Sequence, residues 1–387
     1  MLIKLALDEE HRQLKERMRR LAADLEAKYR EKEEEDPEGT AKEMVKIMGR
    51  EGILKPIVPK GYGGAREGVD ATSLCLIREH LAYSSALADT MFAMQGLGSY
   101  PVTLAGREEQ KQRYLPRVAS GDLITTFALT EPGAGSDAAA IEARAERKGR
   151  GYVLNGQKRF ISNAGIAGLY IVFAKTDPDK GAKGISAFIV EDATPGLSVK
   201  RTRLIAPHPI GEVSLKGVEV PEENLLGEEG AGFKLAMQTL DLFRATVGAA
   251  AVGLAQRALD EAISYSRVRV QFGRPLSEFQ AIRFKLAKMA TQVQAGRLLV
   301  YQAAVKKDRE DDKITLESSM AKLYATEMAQ EVVDQALQIH GGLGVVHGTT
   351  VERLYRGVRA LRIYEGTSEI QHLVIANELL RNQGETS

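Results

Sequence analysis

Tryptophan is absent from this chain, and cysteine occurs once, as Cys75 in the apolar string "SLCLI". A single thiol excludes any intrachain disulfide, and its setting reads as a small buried hydrophobe. Neither charge dominates: 53 basic residues stand against 52 acidic ones, which gives no electrostatic case for nucleic acid or an anionic membrane surface. No apolar run approaches the roughly 18 residues of a membrane span, and the N-terminus lacks an apolar leader core. The expectation is a soluble, cytoplasmic protein with small-molecule or protein partners. The six histidines are scattered, with no HExxH or Cys/His cluster, so no metal is expected. A phosphate-binding GxxxxGK[ST] and a GxSxG nucleophile elbow are missing as well.

What is present is a change of period. Residues 1–122 carry helical spacing, as in Leu14, Met18, Leu21 and Leu25, broken by the Pro/Gly-rich loop "PIVPKGYGGAREG". From about 123 to 230 short runs such as "GYVLNGQKRFISNA", "LYIVFAKT" and "GISAFIVE" alternate or carry β-branched residues between turn signals, which predicts a compact antiparallel β-domain. From 231 to 387 long helical patterns return, with Phe233, Met237, Leu240, Val247, Ala251 and Leu254 on one face, which predicts an antiparallel bundle. The fold class is α+β, mainly α, with no βαβ alternation. The string "GGLGVVHG" at 341–348 resembles a dinucleotide fingerprint only superficially. It follows a helix, and His347 holds the place of its last glycine, so a Rossmann site is excluded.

Near the C-terminus Glu365 stands between Tyr364 and Gly366, just after Arg353, Arg356, Arg359 and Arg362. It is either the partner of those arginines or a base held over a reacting carbon. Upstream, "FALTEPGAGSDAAA" at 127–140 is a strand-like run closing in a Gly-rich loop that can offer N–H and hydroxyl groups to a ligand's oxygens.

That loop, together with "NGQKRFISNAG" (155–165), "RVQFGRPLSEFQ" (269–280), "QIHGGLG" (338–344), "VERLYR" (351–356) and "YEGTSEIQ" (364–371), resembles the acyl-CoA dehydrogenase family in motif order and spacing. The resemblance covers nearly the whole chain. It implies an FAD enzyme with an N-terminal helical domain, a central β-domain and a C-terminal four-helix bundle, working as a homotetramer. By the same resemblance, Phe127, Ala128, Leu129 and Thr130 would lie along the flavin ring. Phe160, Ile161 and Ser162 would flank it, with Ser162 near N5. Arg269, Gln271, Phe272, Gln280, Gln338, Gly341 and Gly342 of a neighbouring subunit would hold the adenosine and pyrophosphate end, and Thr367 and Glu369 would also meet FAD. A forked guanidinium suits paired phosphate oxygens.

On the substrate side, Ser136 would approach the pantetheine arm and the cofactor, Asp241 and Arg244 the CoA nucleotide, and Tyr364 and Gly366 the reactive end. Glu365 matches the catalytic base that removes the α-proton of a saturated acyl-CoA while the β-hydride passes to flavin N5. The alternative base position of one family branch is here Leu242, which cannot take a proton. Two departures stand out: Phe160 replaces the usual Trp and Ser162 the usual Thr. Residues 84–100 contain no Arg or Lys to hold a distal carboxylate, which favours an uncharged acyl tail beside Phe92, Ala93, Met94 and Leu97. Electron-transferring flavoprotein is the expected acceptor. An acyl-CoA oxidase using O2 and a non-catalytic CoA-thioester binder are the alternatives.

Overall fold

A computed structural model describes residues 7–310 and 313–384. The helices α1 (Glu9–Tyr29), α2 (Pro37–Arg50), α3 (Ala71–Ser84), α4 (Ala86–Ala105) and α5 (Glu108–Ala119) come first. Strands β1 (Thr125–Ala128), β2 (Arg144–Lys148), β3 (Gly151–Ser162), β4 (Leu169–Lys175), β5 (Ile185–Glu191), β6 (Leu197–Arg201), β7 (Ile210–Pro221) and β8 (Leu225–Leu226) follow. Then come α6 (Gly232–Val268), a small hairpin of β9 (Val270–Gln271) and β10 (Arg274–Pro275), α7 (Gln280–Glu310), α8 (Thr315–His340), α9 (Thr350–Val358) and α10 (Ser368–Gly384). Caps are legible: Asp8 accepts from the His11 amide ahead of α1, and Asp36 accepts from the Gly39 amide where Pro37 opens α2.

Compactness groups the chain into two interleaved units, one of residues up to Arg30, Ala71–Asp89 and Asp241 onward, the other of Glu31–Asp70 and Thr90–Leu240. In the second unit the sheet runs β6-β7-β3-β2-β4-β5-β8, with β1 beside β4. Its ladders are antiparallel, except that β1 runs parallel to β4 in the register Thr125↔Leu169 to Ala128↔Val172 and β2 meets β4 through one parallel pair. The unit is antiparallel as expected apart from these two pairings. Strand β1 enters from the helical segment and is separated in sequence from its partner, so no tight hairpin dictates its direction. The interior of the unit includes Leu154, Tyr170, Val172, Phe188 and Val213.

In the first unit α8 packs on α7 and α10. The expected stripe on α6 is too narrow. Val247, Ala251 and Leu254 are buried, but so are Ala249, Ala250, Val252 and Ala255, while Phe233, Met237 and Leu240 are only half-buried. Every residue from 242 to 255 is buried, so no single face describes this middle stretch of the helix. Gly253 is where α6 meets α3 most tightly: an added Cβ would lie 2.1 Å from the Glu79 carbonyl oxygen. Gly253→Ala is therefore expected to lower stability by about 1–3 kcal/mol, read as a reduced thermal midpoint. Gly68→Ala, where a Cβ meets nothing within 4 Å, should leave the midpoint unchanged. Equal midpoints for both variants would refute the close approach.

Candidate active site

Glu365 lies in the short link between the 3-10 turn Arg359–Arg362 and α10, with a φ of 54°. This left-handed conformation is disfavoured for a side chain of that size and persists only where its surroundings over-determine it. Three donors from three helices do so. Lys322 Nζ on α8 donates to the Gly366 carbonyl at 2.7 Å. Gln371 Nε2 on α10 donates to the Gly366 carbonyl at 3.1 Å and the Glu365 carbonyl at 3.2 Å, and Arg244 Nε on α6 reaches the Glu365 carbonyl at 3.3 Å. Gly366 itself has a φ of 91°, and a Cβ there would lie 2.5 Å from Gln371 Nε2. The φ by itself calls for glycine, and a larger residue would also displace the Gln371 amide.

The side chain of Glu365 is free where its backbone is held. Its Oε2 is buried without a hydrogen-bond partner. Burial lifts this carboxyl above the usual carboxylate range, against the opposing pull of the Arg78, Lys322 and Arg244 cations. Arg78 is itself answered: Nε and Nη2 donate to the two Asp89 oxygens at 2.8 and 2.9 Å, and Nη1 donates to Thr246 at 2.8 Å. Arg244 pairs with Asp241 at 2.8 Å, and Thr315 donates to the other Asp241 oxygen at 2.7 Å. Lys322, fully buried, is brought down to about 8 by desolvation. Burial likewise raises the Tyr364 phenol. Three of the preceding arginines are engaged elsewhere: Arg362 with Glu327, Arg356 with Glu352, and Arg353 with the Arg30 carbonyl.

In the sheet unit, β1 and the end of β3 are stitched together. Thr126 Oγ1 donates to the Ser162 carbonyl at 2.5 Å, and the Arg159 amide donates to the Thr130 carbonyl at 2.8 Å. The β3–β7 register shifts between Lys158 and Ile161, and within that irregularity Phe160 adopts a φ of 55°. The bulge turns the Phe160 ring outward, leaving the residue 52% exposed. Beneath it Lys158 is fully buried. Its ammonium donates to Glu131 at 2.6 Å and to the Leu129 carbonyl at 3.1 Å, while Glu131 accepts from the Glu142 and Ala143 amides. Phe127 rests on Phe173 with ring centroids 4.8 Å apart, and Ile161 is buried.

Phe127, Ala128, Leu129, Thr130, Phe160 and Ser162 are therefore brought together where β1 and its continuation meet the end of β3, with Ser136 exposed on the following loop. Phe92, Ala93, Met94 and Leu97 are buried in α4. In the helical unit Glu365, Gly366, Tyr364, Asp241 and Arg244 form a second cluster. Arg269, Gln271, Phe272 and Gln280 are exposed along the β9–β10 hairpin and the start of α7, with Phe272 94% exposed at a φ of 51°. Gln338, Gly341 and Gly342 are exposed at the end of α8, where His340 stacks on Tyr265 of α6 at 4.3 Å. Thr367 is half-buried and Glu369 exposed.

The chain matches models of the acyl-CoA dehydrogenase N-terminal domain over residues 8–122, middle domain over 126–218 and C-terminal domain over 230–380. It belongs to the acyl-CoA dehydrogenase family. A subunit of the caffeyl-CoA reductase-Etf complex of Acetobacterium woodii is 42% identical over 88% of this chain and 90% of its own length. The butyryl-CoA dehydrogenase of Megasphaera elsdenii superposes with a TM-score of 0.89 at 39% identity, covering 97% of this chain and 99% of its own. An acyl-CoA dehydrogenase of Bacillus anthracis complexed with FAD superposes at 0.91 with 32% identity, covering 98% of this chain and 68% of its own.

Sequence reasoning missed Arg78, Asp89, Lys322, Gln371, Lys158 and Glu131 as parts of these clusters. Arg78 did carry a signal, following the apolar run "SLCLI" directly. Removing one partner of a buried pair leaves the other charge uncompensated. Arg78→Met is accordingly expected to cost about 3–5 kcal/mol in urea unfolding, and Arg78→Met with Asp89→Leu should recover most of that loss. A double variant as unstable as the single one would refute the pairing.

Proposed function

We propose that this chain catalyses the FAD-dependent α,β-dehydrogenation of a saturated, uncharged acyl-CoA thioester, with Glu365 as the base. The observation that carries the reading is the buried, unpartnered Oε2 on a carboxyl whose backbone is fixed by three helices. A base for a carbon acid needs a lone pair that no donor occupies, a pKa nearer neutrality than a solvated carboxylate, and a fixed position. Glu365 combines all three.

The residues present fit the flavin cofactor. Phe127–Thr130, the outward Phe160 ring and the Ser162 hydroxyl offer an aromatic and hydrogen-bonding edge for the ring, and exposed Arg269 offers a forked cation for pyrophosphate. When bound, FAD supplies the acceptor for the β-hydrogen and its electron pair. The protein holds the α-proton on Glu365 and, through Lys322, Gln371 and Arg244, keeps the base from swinging away. Electron-transferring flavoprotein as redox partner is supported by the relative named for its Etf complex. A second reading reverses the direction. That relative is named as a reductase, and a base that removes an α-proton can return it to an enoyl thioester. The two readings share the site and differ in which substrate is consumed.

Anaerobic addition of saturated acyl-CoAs to the yellow holoprotein is expected to bleach the oxidised flavin band for one chain-length class. Bleaching by none, with reoxidation of reduced flavin by an enoyl-CoA, would favour the reductive direction, and a colourless protein unable to take up FAD would sink both readings. Glu365→Gln should retain FAD and lose turnover by about 10²- to 10⁴-fold. Near-normal turnover in that variant removes Glu365 from the role.

The base is active when deprotonated, so kcat/KM should rise with pH to a plateau, with a midpoint above the ordinary glutamate range. Lys322 pulls the Glu365 pKa down. Lys322→Met should therefore move that midpoint to higher pH, and a midpoint that stays or falls would contradict the electrostatics.

A further inference from the structure

His208 belongs to none of the motifs that define the family resemblance, yet its Nε2 lies 2.8 Å from Ser162 Oγ. The contact is built from both sides. Pro207 and Pro209 flank His208 and restrict its backbone, and the Asn163 amide donates to the Pro209 carbonyl at 2.7 Å. Ser162 pairs with Ile210 across the β3–β7 ladder while its carbonyl accepts from Thr126. Ser162 is thus fixed through its backbone, and the one freedom left is the direction of its hydroxyl hydrogen.

We propose that His208 is a positioning residue that sets the direction of the Ser162 hydroxyl and, through it, the reduction potential of the bound flavin. This rests on the reading that Ser162 borders the flavin N5 edge. Burial pushes the imidazole down to about 4, so the ring is neutral near pH 7 and exists as one of two tautomers, Nε2 donating in one and accepting in the other. The two match two hydrogen-bond demands. Toward an oxidised flavin, whose N5 accepts, Ser162 must donate, and then His208 Nε2–H donates to Ser162 Oγ. Toward a reduced flavin, whose N5–H donates, Ser162 accepts and can turn its own hydrogen to a bare His208 Nε2. The change of tautomer exchanges one proton at each ring nitrogen with solvent, and the imidazole stays neutral throughout. A Ser with an apolar neighbour would leave its oxygen without a donor in the oxidised state and its hydrogen without an acceptor in the reduced one.

The test uses the holoprotein. His208→Leu is expected to change the reduced-to-oxidised ratio at fixed potential by about tenfold, which is about 30 mV for a two-electron couple. His208→Gln, whose amide can still donate or accept, should stay within about threefold. In a Ser162→Ala background, His208→Leu should add no further shift, because the two act as one unit. An unmoved potential in His208→Leu, beside a moved one in Ser162→Ala, overturns the proposal while leaving the flavin-edge reading intact. An unmoved potential in Ser162→Ala brings down that reading and the proposal with it. Should His208→Leu fail to retain flavin, the wild-type protein decides. In ¹⁵N-histidine NMR, with the resonance assigned by its loss in His208→Gln, Nε2 should be protonated in the oxidised holoprotein and bare in the reduced one. One unchanged tautomer in both states refutes the proposal.

Discussion

The position of Glu365 depends on one buried ammonium group, Lys322 Nζ donating to the Gly366 carbonyl at 2.7 Å. A link that leaves a 3-10 turn and enters α10 through two consecutive left-handed residues turns its carbonyls inward. Each inward carbonyl left unmet would cost about 1–3 kcal/mol. The sheet unit solves the same problem with the same chemistry. Lys158, also fully buried, donates to the Leu129 carbonyl and to Glu131, and so fixes the segment that follows β1. In both places an irregular stretch of backbone is secured by a lysine from a regular element, and burial brings each lysine down to about 8. That loss of charge stability is the cost of using a cation where no solvent reaches.

The charges around Glu365 can be paired off. Arg78 is met by Asp89 and Arg244 by Asp241, both in short, geometrically matched contacts. Arg78, Lys322 and Arg244 together restrain the rise in the carboxyl pKa that burial alone would produce, and since Lys322 spends its short hydrogen bond on Gly366, it leaves Oε2 unpartnered. Had the ammonium bonded Oε2 directly, the lone pair needed for proton abstraction would have been engaged and the pKa pulled down. That division of labour between backbone and side chain suits this carboxyl to the proposed role of base.

The period change near residue 123 and the helix preceding "GGLGVVHG" were legible because long patterns and element order survive tertiary packing. Glu365 was legible through its motif, but its conformation was not, since nothing about a glutamate announces a φ of 54°. Lys322 and Gln371 were hidden because a polar residue inside a helical period reads as the solvent face. Only the fold turns those positions inward. The parallel pairing of β1 with β4 was invisible for a related reason: it is fixed by the entry of the chain from α5, a tertiary fact with no local residue signal.

Among the described residues, four non-glycine residues have a left-handed φ: Phe160, Asn163, Phe272 and Glu365. Three of them were singled out from the sequence for chemistry, and the fourth follows Ser162. Strain of this kind is costly and is not kept by accident of packing alone. Three of the four also present a group that the chain itself leaves unused. Phe160 and Phe272 present large rings to solvent, and Glu365 presents an unpartnered oxygen. A regular helix or strand would have turned those groups into its own periodic faces. At these three positions the chain departs from its own pattern, so the backbone singles out the same residues as the motifs, and does so independently of them.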